Sequence, residues 1–236
     1  MLADFREILD RMLLQDSAGK LTPAQRDDCL RRAVIQYSII KPRGRVQIIT
    51  GNGVAVTFAL ASDFEEGFSR LLAIEYPVGL ADPEYLDAAR YFTYRDATTG
   101  VLGLRLRDLT LPNTKTAYVS YTARHVVTEG AGTAAQDTVV PADRDPVCHL
   151  AAAMGFESLT AAYTQERDAS ILAEISRGVD QATGYLELAR HHRRQFALMM
   201  GISRDAFVLA ASAVQDLDLS LEAWGGPRFF HDSESR

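Results

Sequence analysis

Cysteine is almost missing from this chain. Cys29 and Cys148 are the only two, far apart in sequence and in no metal-like spacing. That scarcity and spacing argue against a zinc site, and two buried reduced thiols in a reducing compartment are the expectation, with a single disulfide between them as the alternative. Long apolar runs are missing too: none approaches the ~18 residues needed to cross a bilayer. The stretch from Met1 to Asp16 alternates acidic and basic residues where a signal peptide would be apolar. A protein made in the cytoplasm, with no membrane partner, is therefore expected. Basic charge is in deficit, with 25 Lys and Arg against 31 Asp and Glu and a formal charge of −6. A generic nucleic-acid binder is disfavoured, because holding phosphates needs a basic surface, although a local basic patch remains compatible. What is present is ordinary globular material: 47% apolar and 24% charged residues over 236 positions. Such a chain is long enough for one large domain, or for a core carrying an inserted module.

The stretch that organises the rest runs from Thr138 to Met200. Asp143 is a candidate N-cap, with Asp145 and Pro146 in the first turn that follows. Val147, Leu150, Ala151, Met154, Leu159 and Ala162 then recur at near-helical spacing, which predicts a narrow, alanine-rich apolar face. Val179, Ala182, Leu186, Ala189, Phe196 and Met200 do the same in a second helix, after the polar segment T-Q-E-R-D-A-S-I-L-A-E. This antiparallel hairpin needs more helix to cover it. The cover is at the other end of the chain. Leu2, Phe5, Leu9, Met12 and Leu13 trace one face of a short helix. A second opens at L-T-P-A-Q, with Thr22 as N-cap, Pro23 at the first position and Gln25 completing a capping box. Its inward face is Leu30, Ala33, Val34 and Tyr37, and K-P-R-G-R ends it.

From Arg45 the period changes to two. V-Q-I-I-T, G-N-G and V-A-V-T-F-A-L predict a β-hairpin. G-N-G also invites reading as a phosphate loop, but it lacks the third glycine, the Lys and the following helix, so it is a turn. Leu71 to Tyr76 is a further strand. Tyr91 to Arg95 and Val101 to Arg107 form a second hairpin about D-A-T-T-G, and Lys115 to His125 is another strand. About six strands without an intervening long helix imply an antiparallel sheet or small sandwich. Past Gly201, Leu217, Leu219 and Leu221 alternate with Asp216, Asp218, Ser220 and Glu222, the signature of a strand. It is followed by Trp224, Phe229 and Phe230 on a Gly- and Pro-containing tail. A lone strand is not stable in water, so this one either packs locally or serves as an arm that pairs with another chain.

The expected class is thus α+β: a helical bundle from N- and C-terminal helix pairs (1–44 and 138–200), an inserted antiparallel β module (45–127), and an extended C-terminal arm (201–236).

The chemistry-bearing residues give no catalytic constellation. His191 and His192 are adjacent on a helix and point about 100° apart, so they cannot share a metal from that spacing. With Arg190, Arg193 and Arg194 they make a basic turn, either a solvated face that complements the helix dipole or a contact for an acidic partner surface or for phosphate. Arg105 and Arg107 place two positive charges on one sheet face, either a solvated face or an electrostatic docking patch. Cys148, with apolar neighbours on a helix, reads as inert. Asp143 with Asp145 and Asp216 with Asp218 lack the further ligands of a hard-cation site. No metal or cofactor is expected.

The order of elements, from L-T-P-A-Q through V-S-Y-T-A-R-H and V-V-P-A-D-R-D-P-V-C-H-L-A-A-A-M-G-F-E-S-L to Y-L-E-L-A-R-H-H-R-R-Q-F, resembles the head-to-tail adaptor (connector, head-completion or neck) proteins of tailed bacteriophages over Leu21 to about Phe196. That resemblance implies a structural virion protein of the neck, without enzymatic activity. It would form a ring of copies of itself, commonly dodecameric, seated under the portal protein and above a tail-side neck or tail-completion protein. DNA would pass through the channel without sequence-specific binding, which suits a net acidic wall. Leu217, Leu219, Leu221, Trp224, Phe229 and Phe230 would bind the portal or a neighbouring subunit. The alternatives are a hydrolase drawing on His125, His149 or Cys148, and a module that binds a protein or polysaccharide through its sheet.

Overall fold

The computed structural model describes residues 2–13, 19–97, 100–128, 137–165 and 172–202. Over these the chain is mixed α+β, with four helices and two small antiparallel sheets. Helix α1 spans Leu2–Met12 and α2 spans Pro23–Ile40. Six strands follow: β1 Arg43–Thr50, β2 Thr57–Ala59, β3 Leu71–Glu75, β4 Tyr91–Arg95, β5 Leu102–Leu106 and β6 Thr116–Ala123. A 3-10 turn, Pro141–Asp143, leads into α3, Arg144–Gln165, and α4 spans Leu172–Met199.

The local signals at the N-terminus translate directly into geometry. The Thr22 hydroxyl accepts from the Gln25 N–H, and the Gln25 side chain accepts from the Thr22 N–H at 2.8 Å, so two N-terminal donors are satisfied reciprocally. Leu2, Phe5, Leu9 and Leu13 are buried, as are Leu30, Ala33, Val34 and Tyr37 of α2. Arg6 clamps Asp27 through two hydrogen bonds of 2.8 and 2.6 Å, which fixes α1 on α2.

Helix α3 departs from the expected narrow stripe. Val147, Cys148, Leu150 to Ala153, Phe156 and Leu159 are all buried, so nearly its whole girth lies inside. The reason is its position: α1, α2 and α4 all pack against it, and one core cluster draws side chains from all four helices. A helix apolar all round has no amphipathic period to read. Its small residues permit that crowding. A Cβ added at Gly155 would stand 3.2 Å from Leu13 and 3.3 Å from Leu21. Helix α4 is one-sided, burying Ala182, Ala189 and Phe196 at seven-residue intervals.

The second correction concerns the first β-hairpin. β1 and β2 do not pair with each other. β1 pairs with β6, which also pairs with β3, in the order β1-β6-β3; β2 pairs with β5 in the order β2-β5-β4. The Gly51-Asn52-Gly53 segment does turn, with the Asn52 side chain accepting from the N–H groups of Val54 and Ala55 at 3.0 and 2.6 Å. Its backbone, however, is claimed by the 111–115 loop. The Gly51 N–H donates to the Lys115 carbonyl at 2.7 Å and the Gly53 N–H to the Leu111 carbonyl at 3.0 Å. The chain therefore crosses from one sheet to the other. The hairpin of β4 with β5 is present, from Tyr91 opposite Leu106 to Arg95 opposite Leu102. Between the sheets, Ile49, Ile74, Leu104, Leu106, Leu111, Ala117 and Val119 form the core of the β module.

Gly51 sits where a side chain has no room: an added Cβ would lie 2.4 Å from the Leu111 carbonyl oxygen and 2.5 Å from that of Pro112. Gly51→Ala is expected to lower stability by about 1–3 kcal/mol, the cost of overpacking. Gly44→Ala, which opens into empty space, should change it by less than about 0.5 kcal/mol. Urea unfolding midpoints of the two variants measure the difference, and equal midpoints would contradict the crossing.

Candidate functional site

The described residues include a polar joint between helices and sheets, a histidine pair between α3 and α4, and an apolar outer face on the first sheet.

The joint forms where the chain leaves and re-enters the helical part. Asp143 was expected to cap α3. It lies instead in the 3-10 turn before that helix, and its carboxylate accepts from the Tyr37 hydroxyl and the Lys41 ammonium, both at 2.6 Å. Burial pushes that carboxyl up, but the bonds from Lys41 and Tyr37 outweigh it and hold it below the usual carboxylate range. The Tyr37 hydroxyl is pushed up by burial and by the same carboxylate. Beside them His125 is buried. Its backbone N–H donates to the Ser38 hydroxyl at 2.9 Å, and its ring nitrogens lie 2.7 Å from the Thr138 carbonyl and 3.0 Å from the Lys41 carbonyl. These partners make His125 a fastener between β6, α2 and the entry to α3.

The basic turn of α4 divides. Arg190, His191 and Arg194 are exposed, whereas Arg193 is bound to Glu157 of α3 at 2.7 and 2.8 Å. His192 turns inward, correcting its place in a solvated face. Its Nδ1 stands 2.8 Å from the Nδ1 of His149, and its ring stacks on Phe156 at 5.4 Å. Two facing Nδ1 atoms hold one hydrogen bond when one carries a proton and the other does not. A second proton leaves donor against donor. Burial, then the charge of His149, pushes His192 down to about 4. Burial also lowers His149, against the pull of Asp145. The sequence concealed this pair because its members are 43 residues apart.

The other candidates stay apart. Cys148 is buried with its thiol toward the Phe5 carbonyl, and burial pushes it up to about 12, so it stays protonated; Cys29 is also free and buried. Among the described residues no group of three or more His, Cys, Asp or Glu side chains could hold a metal ion, and no helix is long and apolar enough to cross a membrane. Arg105 and Arg107 are both exposed, with Arg105 opposite Phe92 and the Arg107 guanidinium 4.7 Å over that ring. Leu217, Leu219, Leu221, Trp224, Phe229 and Phe230 lie outside the described residues.

The remaining feature is the outer face of the β1-β6-β3 sheet. β1 turns Ile49 into the core and leaves Val46 58% and Ile48 61% exposed. Opposite them on β6 are Ser120 and Tyr118, and Leu72 on β3, at a register shift, is 57% exposed. β1 is an edge strand of eight residues. Its first half carries Arg43 and Arg45, which share the Asp63 carboxylate at 3.0 and 3.2 Å. The second half, V-Q-I-I-T, has no charge. Edges of that kind are normally blunted by Lys, Pro or a bulge. The second half of β1 is therefore an uncharged, β-branched edge whose outer face is apolar.

Comparison with models of known protein families and with curated proteins finds no match to the chain.

The histidine pair gives a pH-dependent stability. Both histidines titrate lower in the folded chain than in the unfolded one, so the unfolded chain takes up protons first. The contribution of the pair is complete above pH ~6.5 and is lost as pH falls toward ~4. The wild type should lose roughly 2 kcal/mol more than His192→Gln between pH 7 and pH 4.5, read by urea unfolding at each pH. Parallel slopes for the two proteins would contradict the pairing.

Proposed function

We propose that the chain is a structural virion protein, the head-to-tail adaptor of a tailed phage or a related particle. In this reading copies form a ring under the portal protein, contact a tail-side neck or tail-completion protein below, and line part of the channel that DNA traverses. The two terminal helix pairs would act as one bundle, and residues 201–236 as the arm. The observation that carries the reading is the outer face and free edge of β1, where Val46 and Ile48 are exposed in the uncharged second half of the strand. Such a surface suits a ring subunit, which must present one patch to each neighbour. Two further features support it. The helices from both chain ends share one core around α3, so the β module is held at fixed reach. The formal charge of −6 suits a conduit whose wall must not retain phosphates. Contacts of modest strength multiplied by ring symmetry supply the avidity. Arg190, His191 and Arg194 on α4, and Arg105 with Arg107 on β5 and just beyond it, remain available for electrostatic docking.

Co-sedimentation with portal particles tests the proposal. The full chain should sediment with the portal. Deleting Ser203–Arg236 should leave far-UV circular dichroism and the unfolding midpoint of the remaining protein nearly unchanged while abolishing that binding. Failure of the full chain to co-sediment would overturn the adaptor reading. Retained binding by the shortened chain would overturn the role of the arm.

A further inference from the structure

The C-terminal segment and the β1 edge have matching patterns, and we infer that the strand Gln215–Glu222 of one copy adds to the free edge of β1 on the next. The inference deepens the ring reading and rests on it for the choice of a second copy.

The first observation is chemical. β1 presents two different faces along its edge: Val46 and Ile48 outward, Arg43, Arg45 and Gln47 on the side of the second sheet, where Arg43 and Arg45 share the single carboxylate of Asp63. Two guanidinium groups on one carboxylate leave a net positive charge at that edge. The sequence Q-D-L-D-L-S-L-E also has two faces, one of leucine and one of aspartate, serine and glutamate. Neighbouring strands present alternate residues to the same two faces. In parallel pairing with Leu219 beside Val46, Leu221 falls beside Ile48, Asp218 beside Arg45 and Asp216 beside Arg43. Apolar meets apolar on one face and acid meets base on the other. A slip of one residue would reverse both matches.

The second observation is reach. His149 stands opposite His192, and the Thr160 hydroxyl is 3.5 Å from the Ala182 carbonyl, so α3 and α4 run antiparallel. The end of α4 thus lies beside the start of α3, where Asp143 holds Lys41 just before β1 begins. The chain passes Ile202 at the end of the helical body from which β1 departs. Residues 203–214 can span roughly 40 Å when extended. Donor strand and acceptor edge are different surfaces of one chain. Such a head-to-tail interface repeats from copy to copy and closes into a ring when the rotation allows.

Disulfide trapping between two singly substituted chains tests this. Val46→Cys protein is mixed with Leu219→Cys protein, oxidised in the presence and absence of portal particles, and the linked peptides are identified by mass spectrometry; Cys29 and Cys148 are buried. A 46–219 link is expected, at least about tenfold more abundant than the link from an Asp218→Cys partner, because residue 218 stands on the opposite face. Equal 218 and 219 yields, or no link under either condition, would overturn the inference. A link that forms only within a chain carrying both cysteines would overturn the copy-to-copy pairing. Co-sedimentation of the unmodified chain with portal, run alongside, separates the two readings. Sedimentation without the 46–219 link removes the strand addition and leaves the adaptor; the link without sedimentation removes the adaptor and leaves the pairing.

Discussion

The carboxylate of Asp143 receives two hydrogen bonds from the end of α2, one from Tyr37 and one from Lys41, across sequence separations of 106 and 102 residues. The whole β module lies within the loop those bonds close. Bringing the ends of a loop of that length together costs roughly 4 kcal/mol in chain entropy beyond a constant, so the joint must be strong; Tyr37 is buried in it, while Lys41 is half exposed. His125 adds to it from the module's side, with its backbone on Ser38 and its ring between two carbonyl groups. Once the joint forms, α3 starts where α2 ends, and the four helices can bury the girth of α3. The position of β1, and of the surface it exposes, follows from the same constraint.

Much of the helical part was legible in the residues because its signals are local. The Thr22 and Gln25 capping box, the Leu2, Phe5, Leu9 stripe and the Leu30 to Tyr37 face each lie within a few turns and need no knowledge of distant partners. The β4–β5 hairpin was legible for the same reason. Where two long-range claims competed for one segment, local reading failed. Gly51-Asn52-Gly53 looks like a hairpin turn, yet its N–H groups go to residues 111 and 115, and the strands on either side separate into two sheets. Asp143 looks like a cap until a tyrosine over 100 residues away takes its carboxylate. His192, set among arginines, looks solvated because nothing in its neighbourhood announces His149. The alternating leucines of the C-terminal segment lie outside the described residues, and the expectation of a strand there comes from their alternation alone.

The functional reading follows from where the molecule is complete and where it is not. Its two cores are closed, its thiols are buried and protonated, and its buried histidines serve as joints between elements. Among the described residues, the second half of β1 combines a sheet edge without charge with exposed apolar side chains. Burial of isoleucine and valine there would add roughly 1.5–3 kcal/mol for each side chain fully covered, a modest amount for one contact and a large one when repeated around a ring.

Amide hydrogen exchange on β1 tests the central claim most directly, comparing the isolated chain with the chain assembled on portal particles. The account predicts that amides within Val46–Thr50 gain at least about tenfold protection on assembly, while those of β6, already paired on both sides, change little. Unchanged exchange along β1 in the fully assembled particle would contradict it.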